Sequence, residues 1–119
     1  MEENHTDDTF ERLAVWQHAL AISIEVYRLL ADCKDWGFKD QITRSTNSIA
    51  DNIAEGTERP GKAEYRQFLG YAKGSAGESR CQVYRTQALN YISTSDGQRL
   101  IVELKEISKM VHGLRNSLK

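Results

Sequence analysis

The sequence predicts an all-α protein, an up-and-down four-helix bundle, on three observations. Apolar residues recur at steps of three and four through four segments; Gly, Pro, Asp and Ser punctuate the breaks; and no strand-like alternation of useful length competes. At 119 residues the chain fits one domain with one core and has no room for a separate catalytic domain. Residues 1–9 read as an acidic N-terminal tail and residues 10–119 as the bundle domain.

The first helix is expected over roughly 10–33. Leu13, Trp16, Leu20, Ile24, Tyr27 and Leu30 share one face, and a second set, Val15, Ile22, Val26 and Leu29 with Cys33, runs along another side. One stripe facing one core does not account for both, so either the helix is deeply buried or it also faces another subunit, and Val15, Ile22, Val26 and Leu29 are the residues expected to meet that subunit. Each large apolar side chain buried there contributes about 1.5–3 kcal/mol, and left exposed the set is an aggregation liability.

After Asp35-Trp36-Gly37 the period resumes at Phe38, Ile42, Ser45, Ile49 and Ile53, giving a short second helix that ends at Gly56, a residue suited to the left-handed position past a helix end. Thr57 to Gly61 holds the only proline and reads as a loop, with Gly61 capping the next helix and Glu64 in its first turn. The third helix runs from Lys62 to about Asn90, roughly 43 Å if unbroken. Its middle is dense in small residues, Gly70, Ala72, Gly74, Ser75, Ala76, Gly77 and Ser79, although each interior Gly costs about 1 kcal/mol against Ala. A neighbouring helix is therefore expected to approach that backbone closely. Ser95 to Gln98 has the form of a capping box opening the fourth helix, whose Leu100, Leu104, Ile107, Val111, Leu114 and Leu118 form the narrow seam of a bundle.

Composition narrows the function classes. With 39% hydrophobic and 28% charged residues the chain reads as an ordinary soluble protein. No apolar run reaches the ~18 residues needed to span a bilayer, and the acidic start Met1-Glu2-Glu3-Asn4-His5 is unlike a signal peptide, so a cytoplasmic location without membrane partners is expected. Cys33 and Cys81 lack CxxC spacing and are expected to be reduced packing residues. Net charge is −1 but uneven, −5 over residues 1–38 and +4 over residues 39–119.

Chemistry is sparse. His5, His18 and His112 are scattered, and neither HExxH nor the Glu-x-x-His pairs of bundle di-iron sites occur, so no metal or cofactor is expected. Gly61-Lys62 lacks the glycine spacing and the leading strand of a phosphate-binding loop. Ser75 lacks a nucleophile frame and is expected to bond a backbone carbonyl, so no enzymatic activity is expected. Glu55 sits at a helix C-terminus, where the dipole disfavours its charge. Asn52, Gly56 and Arg59, or Lys62, are expected to join it in a structural clasp between the second and third helices, a ligand site being the alternative.

Two rows could bind nucleic acid. Arg66, Lys73 and Arg80 recur every seven residues on the third helix, as do Lys105, His112 and Lys119 on the fourth. No aromatic residue is interleaved in either row, and the plain alternative is that both are ordinary solvated faces.

An ordered set of segments resembles a known family. Phe10, Leu13 and Val15-Trp16-Gln17; Asp40-Gln41-Ile42; Asn52-Ile53-Ala54-Glu55-Gly56; Glu64-Tyr65 with Phe68-Leu69, Ala72 and Gly74-Ser75; and Glu106 to Met110 are similar to the bacterial four helix bundle protein family. That family includes proteins encoded in intervening sequences of 23S ribosomal RNA genes. The resemblance implies an all-helical subunit of a homopentameric ring without established catalytic activity, hence a scaffold or interaction protein. A related branch, the accessory proteins of diversity-generating retroelements, binds nucleic acid and a reverse transcriptase through a basic surface, which implies RNA, DNA or a nucleic-acid enzyme as alternative partners. This chain differs from that branch in its slightly acidic net charge, and it carries Ala76-Gly77 where relatives usually have a larger apolar residue first.

Overall fold

The computed structural model describes residues 9–119; the sequence-predicted acidic tail lies outside them except for Thr9. A single 3-10 turn, Phe10–Arg12, precedes four α-helices: α1 Ala14–Leu29, α2 Trp36–Glu58, α3 Lys62–Ala88 and α4 Thr94–Ser117. Short connections make successive helices antiparallel neighbours. The most extensive contacts join α2 to α3 and α3 to α4; α1 lies mainly on α2 and touches α4 to close the bundle. The four helices and their order are those the periodicity predicts, in a body of 49 × 28 × 23 Å.

The face that α1 turns inward differs from expectation. Val15, Ala19, Ile22, Val26 and Leu30 are buried in the subunit's own core, Ile22 completely, and Leu29 is partly buried against it. Val15, Ile22, Val26 and Leu29 are therefore core positions and not an outer interface. The other stripe divides: Leu30 is buried and Leu13 and Trp16 pack partly against the core, whereas its middle faces outward, with Leu20 38%, Ile24 41% and Tyr27 63% exposed. The flanking residues decide between the stripes. Ala19 and Ser23 beside Val15, Ile22 and Val26 are small enough for α2 to approach, whereas Gln17 and Arg28 flank the outward set.

α2 is longer than predicted at both ends. Asp35 caps its start, accepting from the Phe38 backbone N–H at 3.3 Å, and the Tyr91 hydroxyl donates to the same carboxylate at 2.7 Å. That bond, more than burial, raises the Tyr91 pKa. It also ties the α1–α2 connection to the α3–α4 turn. Gly56 does not end the helix in a left-handed conformation; it lies inside α2 and is buried. A Cβ there would sit 2.9 Å from Tyr65 Cδ1, 3.1 Å from Phe68 Cβ and 3.3 Å from the Tyr65 carbonyl oxygen. The glycine is needed because α3 crosses α2 at this point. Among the described residues the left-handed conformation falls instead at Asn90, φ 61°, just after α3.

The small residues of α3 divide into two groups. Ala72, Ala76 and Ser79 are fully buried and let the neighbouring helices come close. Gly74 and Gly77 do not serve that purpose, since a Cβ on either would meet nothing within 4 Å, and Gly70 meets only Arg115 Nε at 3.7 Å. Polar residues cross the α2–α3 seam: Ser79 and Ser45 hydroxyls lie 3.0 Å apart, and Ser45 donates to Gln82 Oε1. α4 opens two residues earlier than predicted, with Ser93 accepting from the Asp96 N–H at 3.0 Å, because Ser93-Thr94-Ser95-Asp96 offers a cap of the same form. Gln98, expected to close the capping box, instead donates to Gln87 Oε1 at 3.1 Å. The predicted seam holds, with Leu100, Leu104, Ile107 and Val111 buried.

Candidate functional site

The site is built where α3 and α4 run side by side. Their register is fixed by Gln87–Gln98 at one end and by a reciprocal clamp at the other, where Arg115 Nε donates to the Arg66 carbonyl at 3.0 Å and Arg66 Nε to the Arg115 carbonyl at 3.4 Å. Between these ends lies an open groove of about 490 Å³ lined by Lys73, Arg80, Lys105, Ser108, Lys109 and His112. The lining holds four cationic side chains, an imidazole and no carboxylate.

Among the described residues, Lys73, Arg80, Lys105 and Lys109 have neither an ion-pair nor a hydrogen-bond partner. Glu103, two residues before Lys105, is engaged by Arg99 at 3.2 Å. His112 Nε2 lies 3.1 Å from the Asn116 amide. Like charges held within about a Debye length repel one another, and a polyanion laid along the groove relieves that repulsion. Gly77 falls on the same helical face as Lys73 and Arg80, four residues after the first and three before the second, so no side chain fills the space between them there.

The two sequence-predicted rows thus contribute unequally. Lys73, Arg80, Lys105 and His112 come together. Arg66 is drawn away into the clamp with Arg115, and Lys119, at the end of the chain beyond α4, does not line the groove. Lys109 was missed because it falls outside the seven-residue count, although its position four residues after Lys105 is itself a helical neighbour spacing.

The clasp residues also separate. Arg59 Nη1 reaches Glu55 Oε2 at 3.1 Å and Arg59 Nε reaches Glu64 Oε1 at 2.8 Å, with the guanidinium 5.5 Å from the Phe68 ring centre. Hydrogen bonding to Glu64 first, then to Glu55, raises the Arg59 pKa. Asn52 takes no part, because its amide donates to the Ser48 carbonyl within α2 at 2.8 Å. We expect Glu55→Gln to lower the thermal midpoint by no more than about 3 °C, since the pair is exposed, and to leave ligand binding at the groove unchanged. A thermal melt and a binding titration on one sample check both.

A second charged cluster, not foreseen from the sequence, closes α1 onto α4. Arg99 pairs with Glu25 of α1 and, at 3.2 Å each, with Asp96 and Glu103, while His18 Nε2 lies 3.5 Å from Glu103. The Glu25 contact is the main reason that the Arg99 pKa is raised. Its signal was two acids at i−3 and i+4 around one Arg, but Glu25 is remote in sequence.

Cys33 packs partly against the core as expected, whereas Cys81 is exposed, with Arg85 Nη2 at 3.9 Å from its sulfur. Ser75 does not make the expected backbone hydrogen bond. Among the described residues no group of three or more His, Cys, Asp or Glu could hold a metal ion. No described helix is long and apolar enough to cross a membrane.

The architecture defines an all-α four-helix-bundle protein with a cationic groove along one seam. The family described as 23S rRNA-intervening sequence protein matches residues 11–113, and the chain belongs to that family. A crystal structure of a protein with unknown function from the S23 ribosomal protein family of Bacteroides thetaiotaomicron is similar at 23% identity and a TM-score of 0.80, over 86% of this chain and 98% of that one. At that identity the likeness speaks to the fold. No curated protein matches the chain.

Proposed function

We propose that this chain is a non-enzymatic binding protein that holds the phosphate backbone of nucleic acid in the groove between α3 and α4. The observation that carries the reading is the convergence of Lys73, Arg80, Lys105 and Lys109, all unpaired, on one open groove without a carboxylate in its lining. Side-chain cations that replace condensed counterions release them to bulk, and that release drives the association. Fluorescence anisotropy of a labelled oligonucleotide, titrated at rising salt, tests it. Four phosphate contacts on a single strand give a log–log salt slope near −3; absence of binding at about 50 mM salt contradicts the reading.

Self-association is the second reading, and the exposed apolar strip of Leu20, Ile24 and Tyr27 on α1 favours it. Tyr27 shares a surface depression with Trp36, itself 65% exposed, so the strip continues onto the start of α2. The homopentamer that the family resemblance implies would cover it. This moves the proposed interface to the opposite stripe of α1 from the one the sequence suggested. Ile24→Glu with Tyr27→Glu is expected to shift the protein to a monomer in light scattering while its helicity stays intact. A wild-type monomer at micromolar concentration contradicts this reading.

A further inference from the structure

We infer that the α3/α4 groove is selective for single-stranded nucleic acid, with Tyr84 serving as a base-stacking platform at one end. The inference rests on the nucleic-acid reading above and adds to it which form is bound and by which residue. Tyr84 lies one turn after Arg80 and so extends the Lys73, Gly77, Arg80 face of α3 toward the α3–α4 turn. It is 51% exposed, and among the described residues its ring and hydroxyl have no partner. On α4, Val102 lies three residues before Lys105 and is 66% exposed. The register set by Gln87–Gln98 and Arg66–Arg115 puts Tyr84 and Val102 at about the same height along the bundle, just beyond Arg80 and Lys105. Beyond the cationic lining, the surface at that height carries one exposed aromatic and one exposed apolar side chain.

That sequence of surfaces suits a strand whose bases are free. Adjacent packed helices lie about 8–10 Å apart, so cations on the two walls converge on one line and neutralise one backbone. The cationic stretch from Lys73 to Arg80 is about 10 Å long at 1.5 Å per residue. A duplex presents two backbones separated by grooves about 6 and 12 Å wide and keeps its base faces stacked inside, where neither Tyr84 nor Val102 reaches them. A single strand following the cations offers its next base to the Tyr84 ring, and stacking of this kind tolerates any sequence.

The test uses the full chain, wild type and with Tyr84→Ala and Tyr84→Phe, against three probes: a 15-nucleotide single-stranded oligothymidylate, a duplex of the same length, and inorganic polyphosphate. Expected are tighter binding of the single strand than of the duplex, about a tenfold loss of single-strand affinity in Tyr84→Ala, no loss in Tyr84→Phe, and polyphosphate binding unchanged by either. Because the ring is exposed and unpartnered, a thermal melt should show the fold intact in both variants. Equal or tighter duplex binding, or single-strand affinity indifferent to Tyr84→Ala, overturns the inference while leaving the groove reading in place. Failure of all three probes to bind overturns the groove reading and the inference with it.

Discussion

Replacing Lys73, Arg80, Lys105 and Lys109 together by Glu is expected to weaken oligonucleotide binding at least about 100-fold at 50 mM salt and to remove most of its salt dependence. Each lost phosphate contact takes about 0.7 from the log–log slope on a single strand, so the four account for nearly 3. Reversal does more than deletion, because the groove then repels the phosphates it held. The fold should be indifferent, since all four side chains are unpaired at the surface and substitutions at such sites stay within about 0.5 kcal/mol. Arg66→Glu and Lys119→Glu are the discriminating controls. A simple seven-residue row counts both as contacts, whereas the folded arrangement leaves both outside the groove lining, so neither should cost more than a few-fold in affinity. Anisotropy titrations of the three variants and the wild type at matched salt give the comparison.

The largest effect on stability is expected at Gly56. In Gly56→Val the Cβ falls 2.9 Å from the Tyr65 ring and 3.3 Å from the Tyr65 carbonyl oxygen, and the γ-methyl groups need further space. The ring can rotate, but the carbonyl belongs to the backbone of α3, so the two helices must separate. Overpacking of this kind costs about 3 kcal/mol, which for a chain of this size lowers the thermal midpoint by about 12 °C. Gly74→Ala is expected to act in the opposite sense. A Cβ there meets nothing within 4 Å, and the better helix former adds up to about 1 kcal/mol of stability. Thermal melts by circular dichroism check both signs; a Gly56→Val midpoint equal to wild type contradicts the close α2–α3 crossing.

How much of this was legible in the sequence follows from what each feature depends on. Helix number, order and the α4 core depend on local spacing alone, and Leu100, Leu104, Ile107 and Val111 are buried as their alternation predicts. The inward face of α1 was not legible from period, because two stripes had the same one; Ala19 and Ser23 against Gln17 and Arg28 decided it, and that contrast is visible in the sequence once flanks are weighed with stripes. Helix ends turned on choices between equivalent signals, Ser93 against Ser95, and Gly56 as a terminus against Gly56 as a crossing point. Asp35 could cap α2 while receiving Tyr91 only because the turns lie at the same end of the bundle.

The groove was half legible. Seven-residue spacing found Lys73, Arg80 and Lys105, but spacing along one helix says nothing of which residues face it across a seam. The antiparallel register of α3 and α4 adds Lys109, withdraws Arg66 and puts Tyr84 at about the height of Val102. The glycines of α3 make the same point. They signalled a close approach, and the chain itself supplies none at Gly74 or Gly77.

The central claim is a location, the α3/α4 groove, and backbone amide NMR shifts recorded while an oligothymidylate is added to the uniformly ¹⁵N-labelled protein test it most directly. The account predicts perturbations concentrated at residues 73–84 of α3 and 102–112 of α4, diminishing as salt is raised, with the outer face of α1 unaffected. Perturbations confined to α1 and α2, or spread evenly over the surface, would contradict it.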